Sequence, residues 1–275
     1  MDIGRHNQAA WDRAAREGGE WSRPVSGDII AKAREGDWEI ILTPRRPVPR
    51  DWLGDVRGQE ILCLASGGGQ QAPVLAAAGA RVVSFDLSEE QLALDGLVAE
   101  REGLKIRRVQ GDMRDLSPLE DQRFHLIFNP VSTVFVPTLE PVWRECHRVL
   151  KPGGALLTGF MNPAFFLFDH HEAQRSGVLV ARYPLPYSEA EPEGIPPARR
   201  NDISNGEAME FSHSLEAQIG GQMEAGLVLT GLYEDTWTHE ATPLDRLAPT
   251  FIATRAIRPA IPGEHALAGA ALRQH

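Results

Sequence analysis

Basic charge is in short supply in this sequence. Its 275 residues carry 28 lysines and arginines against 38 aspartates and glutamates, a formal charge of −10. Phosphate backbones are bound through basic patches, so this balance argues against a DNA or RNA partner. Long hydrophobic runs are lacking as well. No stretch is long enough to cross a bilayer, and the N-terminal residues do not resemble a signal peptide, so no membrane partner is expected. Cysteine is scarce: Cys63 and Cys146 are the only two, and both fall in segments expected to be core. They read as buried reduced thiols rather than a disulfide, which fits a cytoplasmic protein. There are no internal repeats. A metal site is not expected either: Asp169, His170 and His171 are adjacent, and neighbouring side chains of an extended segment point apart. What remains is a length that suits one large domain, or one domain with a cap.

The chain is organised around residues 60–91, EILCLASGGGQQAPVLAAAGARVVSFDLSEEQ. Residues 61–64 are an apolar run suited to a strand buried on both faces. It ends in three glycines, Gly67, Gly68 and Gly69, which let the backbone turn sharply and lie close to a ligand. A helix follows, with Pro73 in its first turn and Gly79 as its stop. A second strand over 81–85 puts Asp86 at its carboxyl end, where an acid can accept hydrogen bonds from both hydroxyls of a ribose. Ser88 and Gln91 have the spacing of a capping box that starts the next helix.

Alternation continues downstream. Strands are expected over 106–110, 124–128, 155–160, 227–233 and 250–257. Helices are expected over 88–102, 141–150 and about 214–225. Residues 162–206 break the pattern with six prolines and the run AFFLFDHH, and read as an insertion on the ligand side of the sheet. Residues 1–50 contain Trp11, Trp21 and Trp38 and two short amphipathic helices, near 7–16 and 26–34. Large aromatics are costly to leave exposed, so this segment is expected to form a helical cap or lid over the open end of the sheet. Residues 51–258 form the main domain, and 259–275 a tail with few packing signals.

This succession resembles the class I S-adenosylmethionine-dependent methyltransferases, and the resemblance covers about 58–258. Four stretches carry it: ILCLASGGG (61–69), FDLSEEQL (85–92), QGDM (110–113) and RVLKPGGALL (148–157). It implies a Rossmann-like α/β fold: a seven-stranded, mostly parallel sheet with helices on both faces and the last strand antiparallel. S-adenosyl-L-methionine is the implied cofactor and S-adenosyl-L-homocysteine the product. Ala65, Ser66 and Gly67 would meet the amino-acid end, where a helix N-terminus offers backbone N–H groups. Asp86 would hold the ribose, and Leu87 would pack on the adenine. Asp112 would accept from the adenine amino group, beside the Met113 backbone. Asn129 and Val131 would lie near the sulfonium. Gln91 either touches the cofactor or serves the capping box. The family usually has an acid where this chain has Cys63 and a glycine where it has Ala65. Residues of the N-terminal segment, Arg5, Asn7 or Trp11, are placed to cover the amino-acid end instead.

Methyl transfer needs positioning and desolvation more than a fixed catalytic signature. A general base is needed only for a nucleophile that arrives protonated, and His170, His171 and His213 are the candidates. Phe165, Phe166, Phe168, Tyr183 and Tyr187 either line an apolar acceptor pocket or form the insertion's own core. The expected activity is methyl transfer to an O, N or S atom of a small molecule. A catalytically silent cofactor-binding module is the alternative, with a nicotinamide-dependent oxidoreductase behind it. GGGQQAP lacks the third glycine of the dinucleotide fingerprint. Asn129-Pro130 is followed by Val131 and Ser132 where an amino-group methylating enzyme of nucleic acids needs proline and an aromatic.

Overall fold

The computed structural model describes residues 2–190, 194–237 and 241–260. The expected tail lies outside them from residue 261 onward. Helices α1 (Ile3–Glu17), α2 (Gly27–Arg34) and α3 (Arg50–Leu53) precede strand β1 (Glu60–Leu64). Then come α4 (Gln71–Ala77), β2 (Arg81–Asp86), α5 (Glu89–Glu102), β3 (Ile106–Gln110), β4 (Phe124–Asn129), α6 (Glu140–Val149) and β5 (Leu150–Met161). The insertion holds α7 (His170–Ser176) and α8 (Pro197–Ser204). The short α9 (Gly221–Glu224) leads into β6 (Val228–Asp235) and β7 (Phe251–Ile257).

The strands form one seven-stranded sheet in the order β3-β2-β1-β4-β5-β7-β6. Strands β1 to β5 pair in parallel, and β7 runs antiparallel between β5 and β6. This is the expected Rossmann-like sheet with its last strand reversed. The order turns back between β1 and β4. In open α/β sheets, ligands bind outside the carboxyl ends of the strands at such a switch point.

Strand alternation fills two cores. Ile61 and Cys63 of β1 face one side, with Leu75 of α4, Val82 of β2 and Phe128 of β4. Leu62 and Leu64 face the other, with Phe85 and with Val142, Trp143, Cys146 and Val149 of α6. Both cysteines are therefore buried on opposite faces and unpaired. Burial pushes both thiols well above their ordinary range.

Two local features differ from the sequence reading. Strand β5 begins at Leu150, because Lys-Pro-Gly-Gly is an excursion within it: pairing jumps from Phe124↔Leu150 to Leu126↔Ala155. Gly153 takes φ +82° there, a conformation glycine adopts without strain. The helix expected over 214–225 is a π turn, Glu216–Gly220, followed by α9. Trp143 Nε1 donates to the Ala217 carbonyl at 2.9 Å, and a Cβ on Gly221 would lie 2.7 Å from the same ring. The helix backbone is thus drawn onto the indole.

The packing also divides residues 1–50 at a place the sequence did not suggest. Ile30, Ala33, Trp38, Ile40, Leu42 and Val48 are buried in the core of β1, β4 and α4. The Leu42 carbonyl accepts from Val131 N at 3.2 Å. α1 and the turn Glu20–Ser22 (with Trp21) lie outside that core. In the insertion, Phe166 and Tyr187 pack with Val134. Ile195 and Ile203 pack with Met209 and Phe211. These aromatics form small cores of their own.

Candidate functional site

A cavity of about 300 Å³ opens over the carboxyl ends of β1, β2 and β4. Its floor is the loop after β1. Ala65 there has φ 46°, an uncommon value for a residue with a Cβ. A Cβ on Gly67 would stand 2.7 Å from the Gln91 Cβ and 3.2 Å from Asp86 Oδ2. Gly68, at φ +109°, faces the Trp21 carbonyl so closely that a Cβ would collide with it. The loop is held between α5 and the Trp21 turn, and only glycine fits the gap.

Asp86 ends β2 half-buried on the cavity wall. Its Oδ2 accepts from Gly67 N at 3.0 Å and its Oδ1 from Ser88 N at 2.9 Å. Burial pushes its carboxyl up from the ordinary range, and the backbone N–H groups of Ser88, Gly67 and Leu87 work against that rise. Each oxygen keeps a lone pair beyond the bond to the loop.

A second carboxylate supports the loop from beneath. Asp95 of α5 is fully buried. It accepts from Gly69 N at 2.8 Å and from the Ser84 hydroxyl at 2.6 Å. The acid missing from the Cys63 position is thus matched by one that reaches the glycine loop from a helix rather than from β1. Burial pushes Asp95 up to about 7, against the opposing hydrogen bonds from Ser84 and Gly69. The unfolded chain would release that proton near pH ~4. The folded protein therefore holds an extra proton between these values, and stability falls as pH rises through the window. Asp95→Asn keeps the shape and removes the titration. Urea melts at about pH 4 and about pH 7.5 are expected to move the gap between variant and parent by on the order of a few kcal/mol, in favour of the variant at the higher pH. A constant gap would exclude a raised Asp95.

The remaining predicted residues divide clearly. Ala65, Ser66, Gly67, Asp86, Leu87, Gln91, Asp112, Met113, Val131 and Trp11 all line the cavity. Gln91 donates from Nε2 to the Ser22 hydroxyl at 2.6 Å, while its Oε1 is buried without a partner, as is the Ser66 hydroxyl. Its backbone N–H takes the Ser88 cap at 3.1 Å, but its side chain does not return to Ser88. Asp112 grips Arg114 through both carboxylate oxygens, at 2.5 to 3.1 Å. Burial alone would raise this carboxyl, but the Arg114 guanidinium outweighs it and holds the group below the ordinary range.

The Asn129 side chain lies off the cavity wall. It is fully buried. Its amide donates to the Leu64 carbonyl and the Ser132 hydroxyl at 2.9 and 2.7 Å and accepts from Thr158, which ties β1, β4 and β5 together. None of the three histidines lines the cavity. His170 stacks on Phe165 at 3.6 Å, with one ring nitrogen on the Phe165 carbonyl and the other on the Thr242 hydroxyl. His171 is exposed and pairs with Asp202 at 3.0 Å. His213 shares Nε2 between the carbonyls of Thr133 and Val136. In the N-terminal segment, Arg5 is exposed and pairs with Asp2. The Asn7 amide clamps Phe135 to Met209.

Sequence reasoning missed Asp95, Glu210, Trp237 and Phe251. Asp95 had a signal: Gln91, Asp95 and Val98 share the buried face of α5 at helical spacing. The others come from segments far apart in the chain, and only folding brings them to the cavity wall.

A glycine loop, a ribose-ready acid at the end of β2 and a reversed last strand together define a nucleoside-binding enzyme of the class I methyltransferase architecture. The comparisons with known proteins agree. A family described as "Methyltransferase domain" matches residues 62–158. The uncharacterized methyltransferase YbaJ of Bacillus subtilis (strain 168) is 48% identical over 254 residues, 92% of this chain and 97% of that protein. A sterol 24-C-methyltransferase of Gibberella zeae is 37% identical over 105 residues, 37% of this chain and 27% of that protein. A crystal structure of an S-adenosylmethionine-dependent methyltransferase from Mesorhizobium loti superimposes with a TM-score of 0.59 at 21% identity, over 76% of this chain and 95% of that one. The chain belongs to the S-adenosylmethionine-dependent methyltransferase family. S-adenosylmethionine is its cofactor, and the nicotinamide alternative is set aside.

The residues present fit that cofactor. The cavity's volume is within the range of small-molecule sites. Asp86 has acceptor capacity for two hydroxyls, and the orphaned Gln91 Oε1 is an acceptor suited to an ammonium group.

Proposed function

We propose that this methyltransferase acts on an O, N or S atom of a small, largely apolar molecule that shares the cavity with the cofactor. One observation carries the reading: the cavity wall beyond the glycine loop is built from Trp11, Trp21, Phe135, Met161, Trp237 and Phe251. Apolar walls with few polar groups suit small ligands. The similarity to a sterol 24-C-methyltransferase supports an apolar acceptor, and the acidic balance of the chain speaks against a nucleic acid. Among the described residues, no helix is long and apolar enough to cross a membrane.

In this reading Asp86 holds the ribose hydroxyls, while Leu87 and Met113 enclose the adenine beside Asp112. Ala65, Ser66, Gly67 and Gln91 receive the amino-acid end. Val131 lies at the reacting centre, and Trp11 with Trp21 covers it. Bound S-adenosylmethionine supplies a methyl group on a sulfonium that is already a good leaving group. The chain therefore has to hold the acceptor in line, and its aromatic wall excludes water. We take α1 and the Glu20–Ser22 turn as the cap, and residues 25–258 as the domain proper.

The test is transfer of labelled methyl from S-adenosylmethionine to a panel of small apolar alcohols, amines and thiols. Label in at least one organic product is expected. Tight S-adenosylhomocysteine binding with no transfer to any of them would favour the silent binding module instead.

A further inference from the structure

Three carboxylates reach the cavity wall: Asp86, Asp112 and Glu210. Asp86 accepts two backbone N–H groups, and Asp112 is neutralised by Arg114. Glu210 differs from both, since among the described residues no hydrogen bond reaches its carboxylate. The cation beside it, Arg199, stands 3.8 Å away. Arg199 has given its fork to Glu189, at 2.7 and 2.9 Å. Glu189 also accepts from the Tyr187 hydroxyl at 2.9 Å and from Glu210 N at 2.7 Å. Its side chain is only 1% exposed, against 29% for Glu210. One guanidinium thus faces two carboxylates, and the buried one has taken it. The surplus negative charge is left on the side chain that lines the cavity.

The backbone fixes where that charge points. Met209 is clamped by the Asn7 side chain, through N at 2.7 Å and O at 3.0 Å. Phe211 N donates to the Val134 carbonyl at 2.7 Å. Met209 and Phe211 are buried in the insertion's core. Glu210, held between these two anchored neighbours, lines the cavity. Burial pushes its carboxyl up to about 7, with Arg199 opposing and Glu189 and Glu207 adding to the rise. A group poised there serves as a proton acceptor near neutral pH.

A carboxylate left with only a long 3.8 Å ion pair, in an aromatic-walled cavity, has a natural complement. A cation is attracted both by the charge and by the ring faces, whereas an anion is repelled and a neutral group gains neither. The geometry points to a small apolar acceptor that carries a protonated amine, with Glu210 binding the ammonium and then accepting its proton. This rests on the methyl-transfer reading above and names its substrate class. The balance closes. Glu210 takes one proton from the ammonium and frees the nitrogen lone pair. The C–N bond forms as the C–S bond breaks, the C–S pair stays on sulfur, and the product is a methylated ammonium. The proton on Glu210 then passes to water.

The test uses three probes with the same carbon skeleton on full-length protein: 3-phenylpropylamine, 3-phenylpropanol and 3-phenylpropanoate. Calorimetry first establishes saturation with S-adenosylhomocysteine, which reads the cofactor assignment separately. On the saturated protein the amine is expected to bind at least about tenfold more tightly than the alcohol, and the carboxylate not at all. Glu210→Gln keeps the shape and should abolish the amine's advantage while leaving S-adenosylhomocysteine affinity within about twofold. The parent protein supplies a second readout. The probe ammonium, like a lysine, stays charged until pH ~10, so its advantage should fade as the pH falls below about 7 and Glu210 protonates. Equal binding of alcohol and amine would overturn the proposal, as would an advantage that survives Glu210→Gln. A Glu210→Gln protein that loses S-adenosylhomocysteine would overturn it too, because Glu210 would then serve the cofactor's own ammonium.

Discussion

Asp86→Ala is expected to weaken S-adenosylhomocysteine binding by at least about 100-fold. A hydrogen bond to a charged acceptor is worth about 1.5–3 kcal/mol, and Asp86 is placed to accept two from a ribose. About 3 kcal/mol at the lower end already corresponds to roughly 100-fold. The substitution also releases the bonds that Gly67 and Ser88 donate to this carboxylate, which loosens the loop under the ligand. His170→Ala is the control. That ring stacks on Phe165 and is tied to Thr242 outside the cavity, so the variant should bind S-adenosylhomocysteine within about twofold of the parent. Calorimetric titration of both proteins decides the matter. Equal binding by Asp86→Ala and the parent would remove Asp86 from the site.

Two truncations should separate as sharply. Removing residues 2–50 takes Ile30, Trp38, Ile40, Leu42 and Val48 out of the main core. Full burial of each such side chain contributes roughly 2 kcal/mol, so the loss is about 10 kcal/mol as an upper bound. That is comparable to the total stability of a typical domain, about 5–15 kcal/mol. No cooperative melt is expected from this truncation. Removing only residues 2–22 spares those contacts. It takes away α1, Trp11, Trp21 and the Ser22 partner of Gln91. That protein should still melt cooperatively but bind S-adenosylhomocysteine at least about tenfold more weakly, since each lost buried contact counts on the order of 1 kcal/mol. Thermal melts and calorimetry on the pair check it. A folded 51–275 fragment would show that the packing of residues 25–50 is dispensable.

The loop and the sheet were legible because their signals are local. Gly67 to Gly69 and Asp86 sit within 20 residues of each other, and the ends of β1 and β2 bring them together. Asn129 does occupy a strand end near the cavity. What the sequence does not carry is the direction of its amide, which is claimed by Leu64, Thr158 and Ser132. The histidines were plausible by composition and by their place in the insertion. Their ring nitrogens are taken by backbone carbonyls, a hydroxyl and a carboxylate, and no local pattern announces such partners.

The sequence by itself determined the succession of most strands and helices, the glycine turn and the acid after β2, while the cofactor class followed from what these stretches resemble. These depend on short-range periodicity and on residues with special backbone freedom, which act within a few positions of themselves. Tertiary structure decided which charges remain unpaired. Asp95 beneath the loop, Arg199 committed to Glu189, and Glu210 left facing the aromatic wall are relations between segments up to about 200 positions apart, as in the Asn7 clamp on Met209. Burial and competition for partners exist only once the chain has folded, and those two effects set what the cavity can recognise.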